Sequence, residues 1–508
     1  MISLQFIIVI LNFVVTIFVL RYTTKQKMKK RSQKSIGFFH PFANDCGGGE
    51  RVLWYSVLSL QKNEPELEIV IYTVSDVSKE DILKKVHDRF GITIKESNLK
   101  FIRIKYGVLI SAKLYPRFTL IGQSLGGMLL GVVSVILYPV DLFFDSTGHA
   151  FTFPIAKLLG IKKVGCYVHY PTISTDMLSR VQKQSNLYNN SGLVAKSKIF
   201  STLKLVYYKL FALCYRFTGK FTDLVITNGT WTQNHIIQLW GSDDKRPIRK
   251  IYPPCDTIFK KLAPETIENS NNEKSNSENS NNENPNVSDG GSNDKKDTTE
   301  IINEHNDEKK KEKKEKKEIV YFISVGQFRP EKDHKLQIES FEKMLNQYNG
   351  DKIPILVCVG SCRNREDEQR IELLKKLVLE KKLQDSIQFR VNVSYQELLN
   401  WLQRAIAGLH TMRDEHFGIC VVEYMANKVI PIAHNSAGPK LDIVTPFKCK
   451  PTGFLAETCE QYCNCILKVL QMNDTQRKEL TKNAYNSIQR FENQEYIKEF
   501  NQLISELF

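Results

Sequence analysis

The chain has 508 residues, enough for two or three domains with complete hydrophobic cores. Apolar residues make up 42% of it, an ordinary globular value, and the formal net charge of +15 favours anionic partners: nucleic acid, a phosphorylated substrate or an acidic membrane face. Eleven scattered cysteines, with no Cys-x-x-Cys pair and no Cys/His cluster at zinc spacing, argue against a disulfide framework, and the absence of a basic-aromatic module argues against nucleic-acid binding.

Residues 1–20, MISLQFIIVILNFVVTIFVL, contain 16 apolar residues and no charge, the length needed to cross a hydrocarbon core. The basic start, shorter apolar run and small-residue cleavage site of a secretory signal are missing. The next 14 residues, RYTTKQKMKKRSQK, carry seven basic residues and no acidic one, which places that flank on the cytosolic side. A transmembrane anchor over 1–22 is therefore expected, with the bulk of the chain in the cytosol. Sequons such as Asn228-Gly229-Thr230 should then carry no glycan.

From Ile36 apolar runs alternate with helical stretches. IGFFH (36–40), LEIVIYTV (67–74), LKFIRI (99–104), DLFFDS (141–146), KVGCYVH (163–169) and DLVITN (223–228) read as strands of a parallel, doubly wound sheet. This first Rossmann-like domain is expected over 36–256. Residues 257–318 break the pattern with a polar Asn/Ser/Glu-rich tract and a lysine-rich run, and read as a disordered insert between domains. Alternation resumes with IVYFISVG (319–326), IPILVCVG (353–360), IQFRV (387–391), AGLHTM (407–412), VIPIAH (429–434) and GFLAE (453–457). A second Rossmann-like domain is expected over 319–490, followed by a C-terminal helix over 491–508. Residues 118–140 form a second uncharged apolar stretch. It fits a helix lying on or dipping into a bilayer surface, a buried helix, or a span that would cut the first sheet in two.

Ligands of doubly wound sheets bind at the carboxyl ends of strands and at helix N-termini. Four stretches stand there. HPFANDCGGGERVLW (40–54) offers three glycines, Gly47, Gly48 and Gly49, which let the backbone approach a ligand, and Glu50, which opens the next helix; no Gly-Lys-Ser/Thr follows, so it is not a Walker loop. CYVHYPTIS (166–174) puts His169 at a strand end, where a neutral imidazole can bind a sugar hydroxyl. SVGQFRPEKDHK (324–335) offers Arg329, Lys332 and Lys335, cations suited to a diphosphate whose charge grows as a nucleotide departs.

The fourth stretch, RDEHFGICVVEYMANKVIPIAHNSAGPKLDIV (413–444), carries two glutamates, Glu415 and Glu423, eight positions apart. If Gly418 starts a helix, eight positions correspond to about 12 Å of rise, comparable to a nucleotide-sugar from hexose to ribose. Glu415 can then hold sugar hydroxyls and Glu423 the ribose diol. The helix N-terminus, around Phe417, Gly418 and Ile419, and the Ser436–Gly438 turn lie near the diphosphate, and Pro439 suits the first turn of a further helix. Cations and backbone amides take the phosphates and carboxylates take neutral hydroxyls, which accounts for acidic groups within a basic protein.

The glutamate pair resembles the E-x7-E motif of retaining glycosyltransferases of the GT4 type with the GT-B fold, an α/β architecture of two Rossmann-like domains facing a cleft. More narrowly, FFHPFANDCGGGERVLW, FFDSTGHAFTFPIAKLLG, CYVHYPTISTDML, SVGQFRPEKDH and EHFGICVVEYMA…AHNSAGPKLDIV resemble the dolichol-linked-oligosaccharide α-1,2-mannosyltransferases of the endoplasmic reticulum, which add the fourth and fifth mannoses from GDP-mannose during N-glycosylation. The resemblance covers nearly all of the chain outside 257–318. It implies Glu415 at the donor mannose, Glu423 at the ribose, Lys332 at the phosphates, His169 near the transferred sugar, and Gly47–Gly49 with Glu50 on the acceptor side. The arginine that usually follows the strand-end glycine is Gln327 here, with Arg329 two residues on as the substitute. The resemblance further implies no metal and no cofactor, GDP-mannose as donor substrate, retention of anomeric configuration, a dolichol-diphosphate-linked oligosaccharide as acceptor, and contact with other mannosyltransferases of the pathway.

Overall fold

Strand segments such as Ile69–Tyr72 and Leu356–Val359 are apolar at successive positions and buried, so both faces of each sheet must be covered by helices. The computed structural model describes residues 2–173, 177, 198–242, 246–258 and 317–508. A long helix α1 (Ile2–Lys29) leads into β1 (Ser35–Phe39), α2 (Gly48–Asn63), β2 (Glu68–Thr73), α3 (Lys79–Phe90), β3 (Leu99–Arg103), α4 (Thr119–Leu137), β4 (Leu142–Asp145), α5 (Thr152–Leu158), β5 (Lys163–Val168), α6 (Lys198–Gly219), β6 (Leu224–Thr227), α7 (Thr230–Trp240) and β7 (Ile248–Lys250). These strands form one parallel sheet in the order β3-β2-β1-β4-β5-β6-β7.

The second half runs β8 (Ile319–Val325), α8 (His334–Gln347), β9 (Ile353–Gly360), α9 (Arg365–Glu380), β10 (Ile387–Val391), α10 (Tyr395–Arg404), β11 (Ala405–His410), α11 (Ile419–Ala426), β12 (Ile430–His434), β13 (Phe454–Ala456), α12 (Cys459–Gln471), α13 (Asp474–Ser487) and α14 (Asn493–Ser505). Its sheet is also parallel, in the order β10-β9-β8-β11-β12-β13. In each sheet the strand order reverses once, between β1 and β4 and between β8 and β11, and a crevice opens there at the carboxyl ends. Helix α14 returns to the first domain. Tyr496, Phe500 and Ile504 join its core, and the Tyr496 hydroxyl lies 2.6 Å from Ser56 Oγ on α2.

The expected strands are present with ends shifted by one or two residues. The short, charged β7 is an addition. Most of the expected insert, residues 259–316, lies outside the described residues. The N-terminal helix runs beyond the expected anchor of 1–22 and through the basic flank, whose cations cap carbonyls of the first domain. Arg21 donates to the Lys157 and Leu158 carbonyls, Lys27 to that of Ile136 and Arg31 to that of Pro139. The stretch 118–140 does not divide the sheet, because β3 before it and β4 after it belong to the same seven strands. It is a helix with one face against the domain and the other outward.

Candidate functional site

The second sheet's crevice lies between the loops that leave β8 and β11. Lys332 comes from the first and Glu415 from the second, and Lys332 Nζ stands 2.6 Å from Glu415 Oε2. The same oxygen lies 3.2 Å from Nε2 of His410, the last residue of β11. Thr411 Oγ1 donates to the Lys332 carbonyl at 2.7 Å and accepts from Gln337 Nε2 at 2.8 Å, so the two loops are tied together beneath the ion pair.

Burial alone would push the Glu415 carboxyl up, but the Lys332 ammonium, followed by His410, holds it well below the usual carboxylate range. For Lys332, burial opposes the charge and Glu415 outweighs it, so its pKa rises. Burial also works against a charge on His410, whereas Cys420 and the Glu415 carboxylate favour it, and the balance lies at about 9. At neutral pH one anion thus sits between two cations, a local excess of one positive charge suited to a diphosphate.

Gly418 precedes α11 at φ 109°, in the left-handed region that a side chain rarely adopts, and the helix starts at Ile419. This places Glu415 before the helix and Glu423 at its fifth residue. The Ser436–Gly438 turn is stitched under that loop: Gly438 N donates to the Glu415 carbonyl at 2.8 Å and Ser436 Oγ accepts from Asp414 N at 2.8 Å. A Cβ on Gly438 would collide with the Phe417 backbone. Burial raises the Glu423 carboxyl's pKa, opposed by the guanidinium groups of Arg51 and Arg89 from the first domain.

In the first sheet, His40 follows β1 and Ser146 follows β4, so the equivalent crevice lies between them. His40 Nδ1 is 2.9 Å from Ser146 Oγ, and its Nε2 is 3.1 Å from Glu50 Oε1. The other Glu50 oxygen accepts from Gly47 N at 2.6 Å, which fixes the glycine loop as α2 begins. Burial raises the Glu50 pKa, but its hydrogen bond with His40 turns the net shift downward. His169 follows β5. Its Nε2 is buried without a partner and would be 3.8 Å from a Cβ on Gly49. Burial lowers its pKa to about 4, so the imidazole is neutral at pH 7. Asn228 is buried and donates from Nδ2 to the His169 carbonyl at 2.9 Å.

The two crevices face each other. Ile419 Cδ1 would be 3.3 Å from a Cβ on Gly48. The His416 ring packs against Tyr170 at 4.2 Å and Trp231 at 5.2 Å between centroids. Asp442 of the second domain is buried and accepts from Thr230 N and the Tyr252 hydroxyl of the first, both at 2.9 Å.

Sequence reasoning located Lys332, Glu415, Gly418, Glu423, Gly438, His169 and the 47–50 loop at the cleft. Three further expected residues have partners within the fold. The Phe417 ring is in the core, 5.2 Å from Phe491 and 5.7 Å from Tyr252, so only its backbone can border a ligand. The Ser436 hydroxyl is already engaged by Asp414 N and His434. Arg329 pairs with Glu331 at 3.6 Å. Sequence reasoning missed His410, Arg51 and Asp442. His410 was detectable, since it lies within the predicted strand 407–412, which in the structure ends at His410. Arg51 and Asp442 matter only through the apposition of the domains. Among the described residues no group of three or more His, Cys, Asp and Glu side chains stands as a metal site.

Residues 33–240 match the family model described as ALG11 mannosyltransferase N-terminus, and residues 304–487 match the one described as glycosyl transferases group 1. A Xenopus tropicalis protein named GDP-Man:Man(3)GlcNAc(2)-PP-Dol alpha-1,2-mannosyltransferase is 40% identical over 500 residues, 97% of this chain and 92% of its own length. The chain belongs to this mannosyltransferase family. The Homo sapiens member is 40% identical over 94% of this chain and 88% of its own length, and the Dictyostelium discoideum member 37% over 96% and 87%. Among solved structures, sucrose-phosphate synthase from Thermosynechococcus elongatus matches with a TM-score of 0.60 at 15% identity, covering 94% of this chain and 99% of that one. Anabaena HepE in complex with UDP and glucose matches with a TM-score of 0.55 at 15% identity over the same shares. These two carry the fold alone, and they agree with two parallel-sheet domains of the GT-B type.

Proposed function

We infer that this chain transfers mannose from GDP-mannose to Man3GlcNAc2 on dolichol diphosphate, forming an α-1,2 bond. The bond from mannose C1 to the β-phosphate oxygen breaks, a bond from C1 to the oxygen of an acceptor 2-hydroxyl forms, the proton of that hydroxyl passes to the departing β-phosphate, and GDP leaves. The observation that carries this reading is near-full-length identity to relatives that share one activity, in a chain whose Lys332–Glu415 pair is intact at the second switch point. We assign addition of both the fourth and the fifth mannose, with retention, at the cytosolic face of the endoplasmic reticulum. The seven basic residues after the first apolar run of α1 support that orientation.

The donor lies along the second domain. Glu423 accepts the ribose diol, the Gly418–Ile419 amides and the 436–438 turn border the diphosphate, and Lys332, with Arg329 beside it, meets the charge that grows on the leaving phosphate. Glu415 faces the mannose, where positive charge develops as the glycosidic bond opens. The neutral His169, with its free Nε2, offers a hydrogen bond to a sugar hydroxyl, and the Gly47–Gly49 loop leaves room for the acceptor. No cofactor takes part in this scheme, and no metal is assigned to it.

The test is incubation of the membrane-reconstituted protein with GDP-mannose and dolichol-linked Man3GlcNAc2, followed by linkage analysis. The expected product gains one and then two α-1,2-linked mannoses. Transfer from a UDP-sugar instead, or an α-1,3 or α-1,6 linkage, would overturn the assignment.

A further inference from the structure

A helix packed on a soluble domain ordinarily has one apolar stripe, which it buries. Helix α6 has two. Phe211 and Tyr215 face inward and join the core of the first domain. Leu203, Val206, Leu210, Leu213 and Phe217 recur at spacings of three and four on the outward side and are 49–62% exposed. Helix α4 repeats the pattern. Gly126, Gly127, Leu130, Gly131 and Ser134 are buried, and the glycines admit Leu109, His149 and Thr152 at close range. On the outward side Phe118, just before the helix, and Ile121, Leu125, Leu129 and Leu137 are 41–67% exposed.

The two helices adjoin. The Tyr207 hydroxyl accepts from Ile121 N at 3.4 Å, and the Tyr207 ring lies 5.4 Å from that of Phe118. The other end of α4 meets α1, where Lys27 caps the Ile136 carbonyl and Arg31 that of Pro139. The unpartnered faces therefore continue sideways from α1, a helix long and apolar enough to span a membrane. No acidic residue lies on α4 or α6, whereas Lys204, Lys209 and Arg216 lie along α6, and Lys113 and Arg117 precede α4. Apolar faces rimmed by cations fit an anionic leaflet, where lysine and arginine reach the headgroups.

We propose that the outward faces of α4 and α6 lie in the bilayer surface beside α1 and form a platform that presents the lipid-linked acceptor to the cleft. The inner face of α4 touches His149 in the loop after β4 and Thr152 at the start of α5, and that loop begins with Ser146, the partner of His40 beside the glycine loop. Helix α4 and this loop thus connect the platform to the acceptor side of the cleft. The proposal rests on the lipid-linked acceptor read above.

The test uses the full chain in vesicles of phosphatidylcholine and phosphatidylserine. Single tryptophans introduced as Leu129→Trp and Leu210→Trp should be quenched when the lipid tails are brominated, and a tryptophan introduced as Lys478→Trp, on the exposed side of α13, should not. A variant with Leu125→Glu, Leu129→Glu, Leu210→Glu and Leu213→Glu should lose tenfold or more in kcat/KM for the dolichol-linked acceptor, yet stay within twofold for the same oligosaccharide on a short water-soluble alkyl diphosphate. Unquenched tryptophans would overturn the proposal and point to a protein on this face. Equal loss on both acceptors, or loss on neither, would overturn the acceptor role. If the unmodified protein moved mannose to neither acceptor, the activity reading would fail, while the quenching would still report on the platform.

Discussion

Lys332 Nζ and Glu415 Oε2 stand 2.6 Å apart, each carried by the loop that leaves one of two neighbouring parallel strands. Both side chains are mostly withdrawn from solvent, and His410 Nε2 shares the carboxylate. Removing Glu415 leaves the Lys332 and His410 cations facing each other without a counter-charge, whereas removing Lys332 leaves the carboxylate paired with His410. Glu415→Gln should lower unfolding stability by about 3 kcal/mol, and adding Lys332→Met to it should restore part of that loss. Urea denaturation of the two single variants and the double variant measures the coupling. Additive losses would show that the pair is not energetically linked.

A second expectation concerns pH. His410 is raised to about 9 in the fold, above the roughly 6.5 of an unfolded histidine. A raised pKa means that the folded state binds the proton more tightly. The stabilisation is therefore complete below about pH 6.5 and lost as pH climbs through 9. His410→Gln cannot titrate. The gap in urea midpoint between wild type and this variant should narrow steadily between pH 6.5 and 9.5. A gap that is constant or widens across that window would mean that His410 is neutral beside Glu415.

The backbone between the glutamates should tolerate little. Gly418→Ala places a side chain at φ 109°, and a residue held in such a region costs about 1–3 kcal/mol. Gly438→Ala meets the Phe417 backbone at an ordinary φ, so its cost is steric rather than conformational. Both variants should lose stability and raise the KM for GDP-mannose, because both move the amides proposed to border the diphosphate. Thermal unfolding with and without GDP would check this. A Gly418→Ala protein with wild-type stability and GDP affinity would contradict it.

Much of this architecture is legible in the chain itself. Strand runs such as IPILVCVG are apolar on both faces, and only a helix-covered parallel sheet accommodates them. Glycine positions at 418 and 438 and the strand-end cations mark the site because the chemistry there constrains the backbone. The ring of Phe417 could not be placed from sequence, since its packing partners, Tyr252 and Phe491, are remote in the chain. The same holds for Asp442, whose bonds to Thr230 and Tyr252 exist only once the two domains meet. The end of α1 escaped for a related reason: a basic flank reads as solvated until the carbonyls it caps are known. The direct pairing of Lys332 with Glu415 also revises the simple division in which cations take only phosphate.

The central claim is that Glu415 faces the mannose and Glu423 the ribose of one donor. Steady-state kinetics of Glu415→Gln and Glu423→Gln, with GDP-mannose varied at saturating acceptor, tests it most directly. Loss of the charge facing the developing oxocarbenium should lower kcat by about 100-fold or more in Glu415→Gln. The ribose contact is similar in ground and transition states, so Glu423→Gln should mainly raise the KM for GDP-mannose and leave kcat near wild type. If Glu423→Gln abolished turnover while Glu415→Gln left it intact, the donor would lie the other way along the cleft and this account of the site would be wrong.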